Sequence, residues 1–315
     1  MILIAILGQT SSGKSEIAVE IAKFYTQKGL NTWVINCDSR QVYKDLNTGT
    51  GKVEGFWLNN TDPTKYPNKK VYFYKKVAHF LIDYIKPQQN FGLIDYLKDF
   101  NDLFEQIQPD IVILCGGTGL YAKSIYSGQS YFETKPEFLG DYQKRREFYT
   151  SLPMEELQKK CQKMGLNQSD FNNKIRLTNH LLKQDAFKNN WINEKKLPCF
   201  EKKFLFGVSV GGEVLKEKIA KRLKQRVDLG LFDEFLRLKS AGVENSFWGK
   251  LGLEYRLCLF YYYGLISEKD WKSKLQSENL QYSKRQLTWF KKEPLIWKRN
   301  SLEILQYLDK LTTDG

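Results

Sequence analysis

One run near the start of the chain, Gly8-Gln9-Thr10-Ser11-Ser12-Gly13-Lys14-Ser15, fits G-x-x-x-x-G-K-[ST] at every specified position. That spacing is a device for holding phosphate. Glycines let backbone N–H groups close around phosphate oxygens, the Lys14 ammonium adds a point charge, and the Ser15 hydroxyl can reach Mg²⁺. A helix opening at the loop adds the positive end of its dipole. The loop identifies a phosphate-bearing ligand and leaves the reaction open; a glycine-rich turn that binds nothing is the bland alternative.

Two further groups could do chemistry. Asp38, in Asp38-Ser39-Arg40-Gln41-Val42-Tyr43, is a carboxylate able to hold Mg²⁺ or take a proton, although an Asp there can also cap a turn. Thr118 follows Gly116-Gly117 at the end of an apolar run, where a nucleotide hydrolase would normally carry a second acidic residue. Its absence weakens the motor and GTPase readings. Thr118 could instead serve only as a helix N-cap. Arg226 ends the basic stretch Lys221-Arg222-Leu223-Lys224-Gln225-Arg226, most of whose cations would simply solvate a helix face.

The elements needed to position these groups can be read from the apolar pattern. Residues 1–7 form a continuous apolar run stopped by Gly8, the pattern of a strand buried on both faces rather than of an export signal. From Ser15, the apolar residues Ile17, Ile21 and Phe24 make one helical stripe, closed by Gly29. Residues 32–36 and 111–115 are two more short apolar runs, so the order is strand, helix, strand, and a parallel sheet follows. Ligands of such sheets bind beyond the carboxyl ends of the strands, and the loops after Leu7, Asn36 and Cys115 are expected to face one crevice.

The expected fold class is α/β: a P-loop NTPase-like parallel sheet flanked by helices, with an inserted helical domain. Residues 1–126 and 203–315 make the core with C-terminal helices. Residues 127–202, rich in Lys, Glu, Gln and Asn and without a strand-like run, make the insert. Residues 204–210 read as another core strand, followed by a basic helix through Ile219, Leu223 and Val227, and the chain beyond Phe232 reads as mostly helical.

Bulk properties narrow the classes further. A net charge of +13 with pI near 9.3 leans toward a polyanionic partner, although a Lys-rich solvated surface would give the same number. Cys37, Cys115, Cys161, Cys199 and Cys258 are widely spaced and contain no C-x-x-C pair. With His79 and His180 as the only histidines, neither a disulfide framework nor a zinc site is expected, and a reducing cytoplasm is. No apolar run approaches the roughly 20 residues that span a bilayer, so no membrane association is expected.

Taken together, these motifs resemble the tRNA dimethylallyltransferase (isopentenyltransferase) family. The phosphate loop is followed by a D-S-x-Q-x-Y segment at 38–43 and a G-T-x-K turn at Gly49-Thr50-Gly51-Lys52. His79-Phe80-Leu81-Ile82-Asp83 with Phe91-Gly92, Gly116-Gly117-Thr118-Gly119-Leu120-Tyr121, and Lys284-Arg285-Gln286-Leu287-Thr288-Trp289-Phe290 are similar to further family segments in the same order.

The resemblance implies transfer of a dimethylallyl group from dimethylallyl diphosphate to N6 of the adenosine 3′-adjacent to the anticodon, with Mg²⁺ as cofactor. It implies that Asp38 accepts the amine proton, that Thr118 hydrogen-bonds the departing oxygen, and that Lys14 and Arg226 neutralise the leaving diphosphate. Arg226-Val227-Asp228 is similar to the family's R-V-D segment. Asp38, Ser39, Arg40, Gln41, Arg176, Lys284, Arg285 and Gln286 would touch the tRNA anticodon stem-loop, and Ser15 would hold the metal. A monomer is expected. The chain departs from the family pattern at Leu139 and Asn179, where arginines are usual, and in a stretch after Asp228 that is shorter by about one helical turn. The rival readings are a small-molecule kinase, for which no arginine-rich lid can be pointed to, and a non-catalytic RNA-binding protein.

Overall fold

The structure, a computed structural model, describes residues 1–68 and 70–313. The chain divides into two compact units, Met1–Gly128 with Pro198–Gly315, and Gln129–Leu197.

The larger unit is built on an eight-stranded sheet. Its strands are β1 (Ile2–Gly8), β2 (Thr32–Asn36), β3 (Phe56–Asn59), β4 (Lys70–Tyr74), β5 (Val77–Phe80), β6 (Ile111–Gly116), β9 (Lys202–Val208) and β10 (Ile296–Lys298), in the order β10-β9-β1-β6-β2-β5-β4-β3. From β10 to β5 neighbouring strands run parallel, and β5, β4 and β3 continue as an antiparallel meander. The remaining pair, β7 (Tyr131–Thr134) and β8 (Ile192–Lys195), belongs to the smaller unit.

Central strands flanked by partners and covered on both faces have no solvent side, which is why β1, β2 and β6 read as unbroken apolar runs. One face carries Ile4, Ile6, Ile113 and Phe206 against Ile17, Ile21, Ile304 and Leu308 of α1 (Lys14–Gln27) and α13 (Ser301–Thr313). The other helices of this unit are α2 (Leu93–Asp102), α3 (Gly119–Tyr126), α8 (Gly212–Asp228), α9 (Leu231–Ser240), α10 (Asn245–Leu251), α11 (Leu253–Tyr262) and α12 (Glu268–Phe290). A second apolar cluster joins α8 to α12 through Ile219, Leu223, Phe235, Trp248, Tyr255 and Trp271.

Between α8 and α9 stand only Leu229 and Gly230, the latter left-handed at φ 85°. That tight joint is the structural form of the short stretch after Asp228. Among the described residues no helix is long and apolar enough to cross a membrane.

The smaller unit holds α4 (Leu139–Ser151), α5 (Met154–Cys161), α6 (Gln168–Phe171) and α7 (Lys174–Lys188) around a core of Tyr149, Leu157, Cys161, Leu177, Leu181 and Leu182. Its strands β7 and β8 pair antiparallel, with Tyr131 opposite Lys195. Sequence reading found no strand here: Ile-Asn-Glu-Lys has no apolar alternation, and the strand exists because its backbone pairs with β7. Leu139 and Asn179 are both exposed.

Candidate active site

Three strand ends meet at one cavity of about 1330 Å³. The loop after β1 contributes Thr10, Ser11, Gly13, Lys14 and Ser15; the loop after β2 contributes Asp38, Ser39, Arg40 and Gln41; the loop after β6 contributes Gly116, Gly117 and Thr118. The expected convergence is therefore found, and the volume exceeds the 300–1,000 Å³ typical of a site for one small ligand.

The phosphate loop wraps the start of α1. Gly13 holds the N-cap position at φ 97°, and Ser11 is also left-handed at φ 61°. Gln9 and Ser12 are buried, and the Lys14 ammonium donates to the carbonyl of Gln9. Burial pushes that ammonium down to about 8, with Arg222 acting the same way and Asp38 and Cys115 opposing. Cys115 faces Ser15 and Lys14, and burial raises its thiol to about 11, so it stays neutral.

Asp38 and Thr118 are set by hydrogen bonds between the two neighbouring loops. Asn36, 4% exposed, donates from Nδ2 to the carbonyls of Asp38 (3.1 Å) and Leu81 (2.8 Å), fixing where the chain leaves β2. One carboxylate oxygen of Asp38 accepts the N–H of Arg40 at 2.9 Å, the turn-type bond anticipated as its alternative role, while Asp38 still lines the cavity. Thr118 occupies the N-cap of α3 but makes no capping bond there. Its Oγ1 accepts the N–H of Ser39 at 3.0 Å and donates to Ser39 Oγ at 3.3 Å.

Opposite the phosphate loop, α8 brings two arginines. Arg222 Nη1 lies 3.3 Å from Thr10 Oγ1 and 3.4 Å from Ser11 Oγ, and its Nη2 donates to Gly51 O at 3.0 Å. Burial, then the charge of Arg226, lowers the Arg222 guanidinium below its ordinary value. Arg226, one turn on, is held by Glu254 at 3.1 Å and by Gly49 O at 3.4 Å. Both line the cavity. Sequence reading singled out Arg226 and missed Arg222, hidden among neighbouring cations; the signal was its i,i+4 spacing from Arg226, which puts both on one helix face.

The remaining expected contacts are distributed. Gln41 Nε2 donates to Gly51 O at 3.3 Å, tying the Asp38 loop to the Gly49–Lys52 turn. Lys284 and Arg285 are exposed on α12, Arg285 lining the cavity and lying over the Tyr282 ring. Gln286 is buried. Arg176 lies in the smaller unit, where it pairs with Asp170 at 2.6 Å and donates to Ser169 Oγ at 2.9 Å.

A largely parallel sheet with a phosphate loop after β1, and a carboxylate and a hydroxyl at the ends of neighbouring strands around one cavity, defines a P-loop-type enzyme fold. The model of the family described as IPP transferase matches residues 41–293. The chain belongs to the IPP transferase family. It is 31% identical to tRNA dimethylallyltransferase 2 of Bacteroides fragilis over 92% of this chain and 88% of that one. It is 30% identical to tRNA dimethylallyltransferase 2 of Shewanella sediminis over 99% and 98%. Among solved structures it is similar to the tRNA delta(2)-isopentenylpyrophosphate transferase of Staphylococcus epidermidis, with a TM-score of 0.58 and 25% identity over 99% and 98% of the chains. The full-length tRNA isopentenylpyrophosphate transferase of Bacillus halodurans shares the fold, with a TM-score of 0.62 at 23% identity over 98% and 95%.

Proposed function

We propose that this enzyme transfers a dimethylallyl group from dimethylallyl diphosphate to N6 of the adenosine 3′-adjacent to the anticodon of tRNA, releasing diphosphate. The observation that carries the reading is the convergence of Lys14, Asp38 and Thr118, from three different strand ends, on one cavity. Membership of the family and the names of the relatives support tRNA prenylation.

In this reading the diphosphate lies against the phosphate loop, with Lys14, Arg222 and Arg226 opposite its charge. The adenine is unstacked to reach the cavity, as for other enzymes that modify a base. Its N6 attacks the allylic carbon as the carbon–oxygen bond to diphosphate breaks, and the amine proton passes to Asp38. Thr118 donates toward the departing oxygen. Ser15 offers a hard oxygen donor that suits Mg²⁺, which binds through one or two protein groups plus substrate phosphates; bound there, the ion would neutralise diphosphate charge. Among the described residues no cluster of three or more His, Cys, Asp or Glu side chains forms a separate metal site. The anticodon stem-loop is gripped by residues 38–41, by Lys284 and Arg285, and by Arg176 of the smaller unit, in a cytoplasmic, monomeric enzyme.

The test is mass spectrometry of nucleosides from tRNA incubated with the enzyme, Mg²⁺ and dimethylallyl diphosphate. N6-dimethylallyladenosine is expected; transfer of phosphate from ATP to a small acceptor, with unmodified tRNA, would replace the reading by the kinase one.

A further inference from the structure

The segment Lys284-Arg285-Gln286, assigned as a whole to RNA contact by the family resemblance, divides in the structure. Lys284 and Arg285 are exposed, whereas Gln286 is only 7% exposed. Both ends of its amide are engaged with protein: Oε1 accepts the backbone N–H of Thr10 at 2.8 Å, and Nε2 donates to the carbonyl of Gly117 at 3.0 Å. A Cβ at Gly117 would lie 2.5 Å from that Nε2, so the amide reaches the carbonyl because the position is glycine. Two more bonds join the phosphate loop to α12, and in these too the loop donates. Gln9 donates from Nε2 to Ser283 O at 3.2 Å and to Ser283 Oγ at 2.9 Å, and Ser283 is fully buried.

We infer that Gln286 is a positioning residue for the diphosphate cradle rather than an RNA contact. Phosphate loops bind through the fixed directions of consecutive backbone N–H groups. Thr10 N–H is occupied by Gln286, and holding it sets the path of residues 11–15, of which Ser11, Gly13, Lys14 and Ser15 line the cavity. The same amide joins the phosphate loop to the Gly117 turn, which carries Thr118. One side chain of α12 thereby fixes the spacing between the group that holds the diphosphate and the group that meets its departing oxygen. To touch RNA, Gln286 would have to surrender both bonds and leave a part-buried N–H and a buried carbonyl without partners, at a cost of up to about 1–3 kcal/mol each. The inference rests on the reading of this cavity as a diphosphate site.

The experiment measures binding of inorganic diphosphate with Mg²⁺ to the full-length protein by calorimetry without RNA, tRNA affinity without donor, and KM for dimethylallyl diphosphate. It compares wild type with Gln286→Met and Gln286→Glu. Gln286→Met is expected to weaken diphosphate binding and raise the donor KM by about tenfold, the worth of two lost hydrogen bonds, with tRNA affinity within about twofold of wild type. Gln286→Glu keeps the acceptor for Thr10 but sets a carboxylate oxygen against Gly117 O and adds a negative charge beside the cradle, so a loss of diphosphate binding at least as large is expected, and it keeps the test available should Gln286→Met fail to fold. A fall in tRNA affinity with diphosphate binding unchanged would overturn the inference and return Gln286 to the RNA surface. Absence of diphosphate binding by the wild type would instead remove the donor site itself, and the inference with it.

Discussion

The carboxylate of Glu234 accepts the backbone N–H of Gly49 at 3.0 Å, and those of Asn47 and Thr48 at 3.0 and 2.9 Å, while also accepting the hydroxyl of Tyr255 at 2.6 Å. The turn it holds presents the carbonyls of Gly49 and Gly51 to Arg226 and Arg222. Glu234→Gln replaces one acceptor oxygen with a donor facing other donors. It is expected to cost about 1–3 kcal/mol of stability and to lower turnover, because both arginines lose their seat. Thermal unfolding and steady-state kinetics check it; unchanged kinetics would detach the turn from the arginines.

Asp38→Asn keeps the shape and can still accept the Arg40 N–H, but removes the basic oxygen. Turnover is expected to fall by about 10²–10⁴-fold with tRNA affinity nearly unchanged, as for loss of a general base. Near-normal single-turnover rates would take Asp38 out of that role.

Arg222 and Arg226 should separate by their partners. Arg226→Ala strands the largely buried Glu254 carboxylate, so a loss of about 3–5 kcal/mol of stability is expected together with the loss of activity. Arg222 has no carboxylate to strand among its hydrogen-bond partners, and Arg222→Ala should reduce donor use with a much smaller change in denaturant midpoint. Equal destabilisation by both would refute the distinction.

His79 gives a pH dependence with a definite sign. Buried on β5 with Nδ1 against Val77 O, its imidazole is pushed by burial from the usual 6.5 down to about 4. The unfolded chain therefore takes up the proton first. Stability from the neutral imidazole is fully present above about pH 6.5 and is lost as pH falls toward 4, by about 3 kcal/mol at most. Urea titrations at several pH values should show this loss in the wild type and its reduction in His79→Phe.

Lys284→Ala should weaken tRNA binding and make the slope of log affinity against log salt shallower by about one. Filter binding at several salt concentrations measures this, and an unaltered slope would remove Lys284 from the phosphate-contacting face.

The legible part of the sequence was the part whose pattern is local. β1, β2 and β6 are covered on both faces, so their burial is written as short runs dominated by Ile, Leu, Val and Trp, and the loops behind them follow by topology. β3, β4 and β5 were not found because each is four or five residues long and edge strand β3 is mostly exposed. Of the site, the phosphate loop, Asp38 and Thr118 could be named, because their chemistry is carried by short motifs. The bonds of Asn36 to Leu81 and of Glu234 to Gly49 could not, since those partners lie 45 and 185 positions apart along the chain, and Arg222 left only its i,i+4 spacing from Arg226 as a signal. Gln286 was picked out by a motif whose exposed and buried faces only the helix geometry tells apart.

The bond between Thr10 and Gln286 spans 276 positions of the chain. The phosphate loop is synthesised 276 positions ahead of its clasp, so a growing chain carries the glycine loop long before that loop acquires its final support. Truncation ahead of α12 would leave β1 and α1 able to pair with early partners while Thr10 N–H and Gly117 O wait for water. The finished shape of the phosphate loop is thus tied to synthesis of α12, an ordering imposed by connectivity alone.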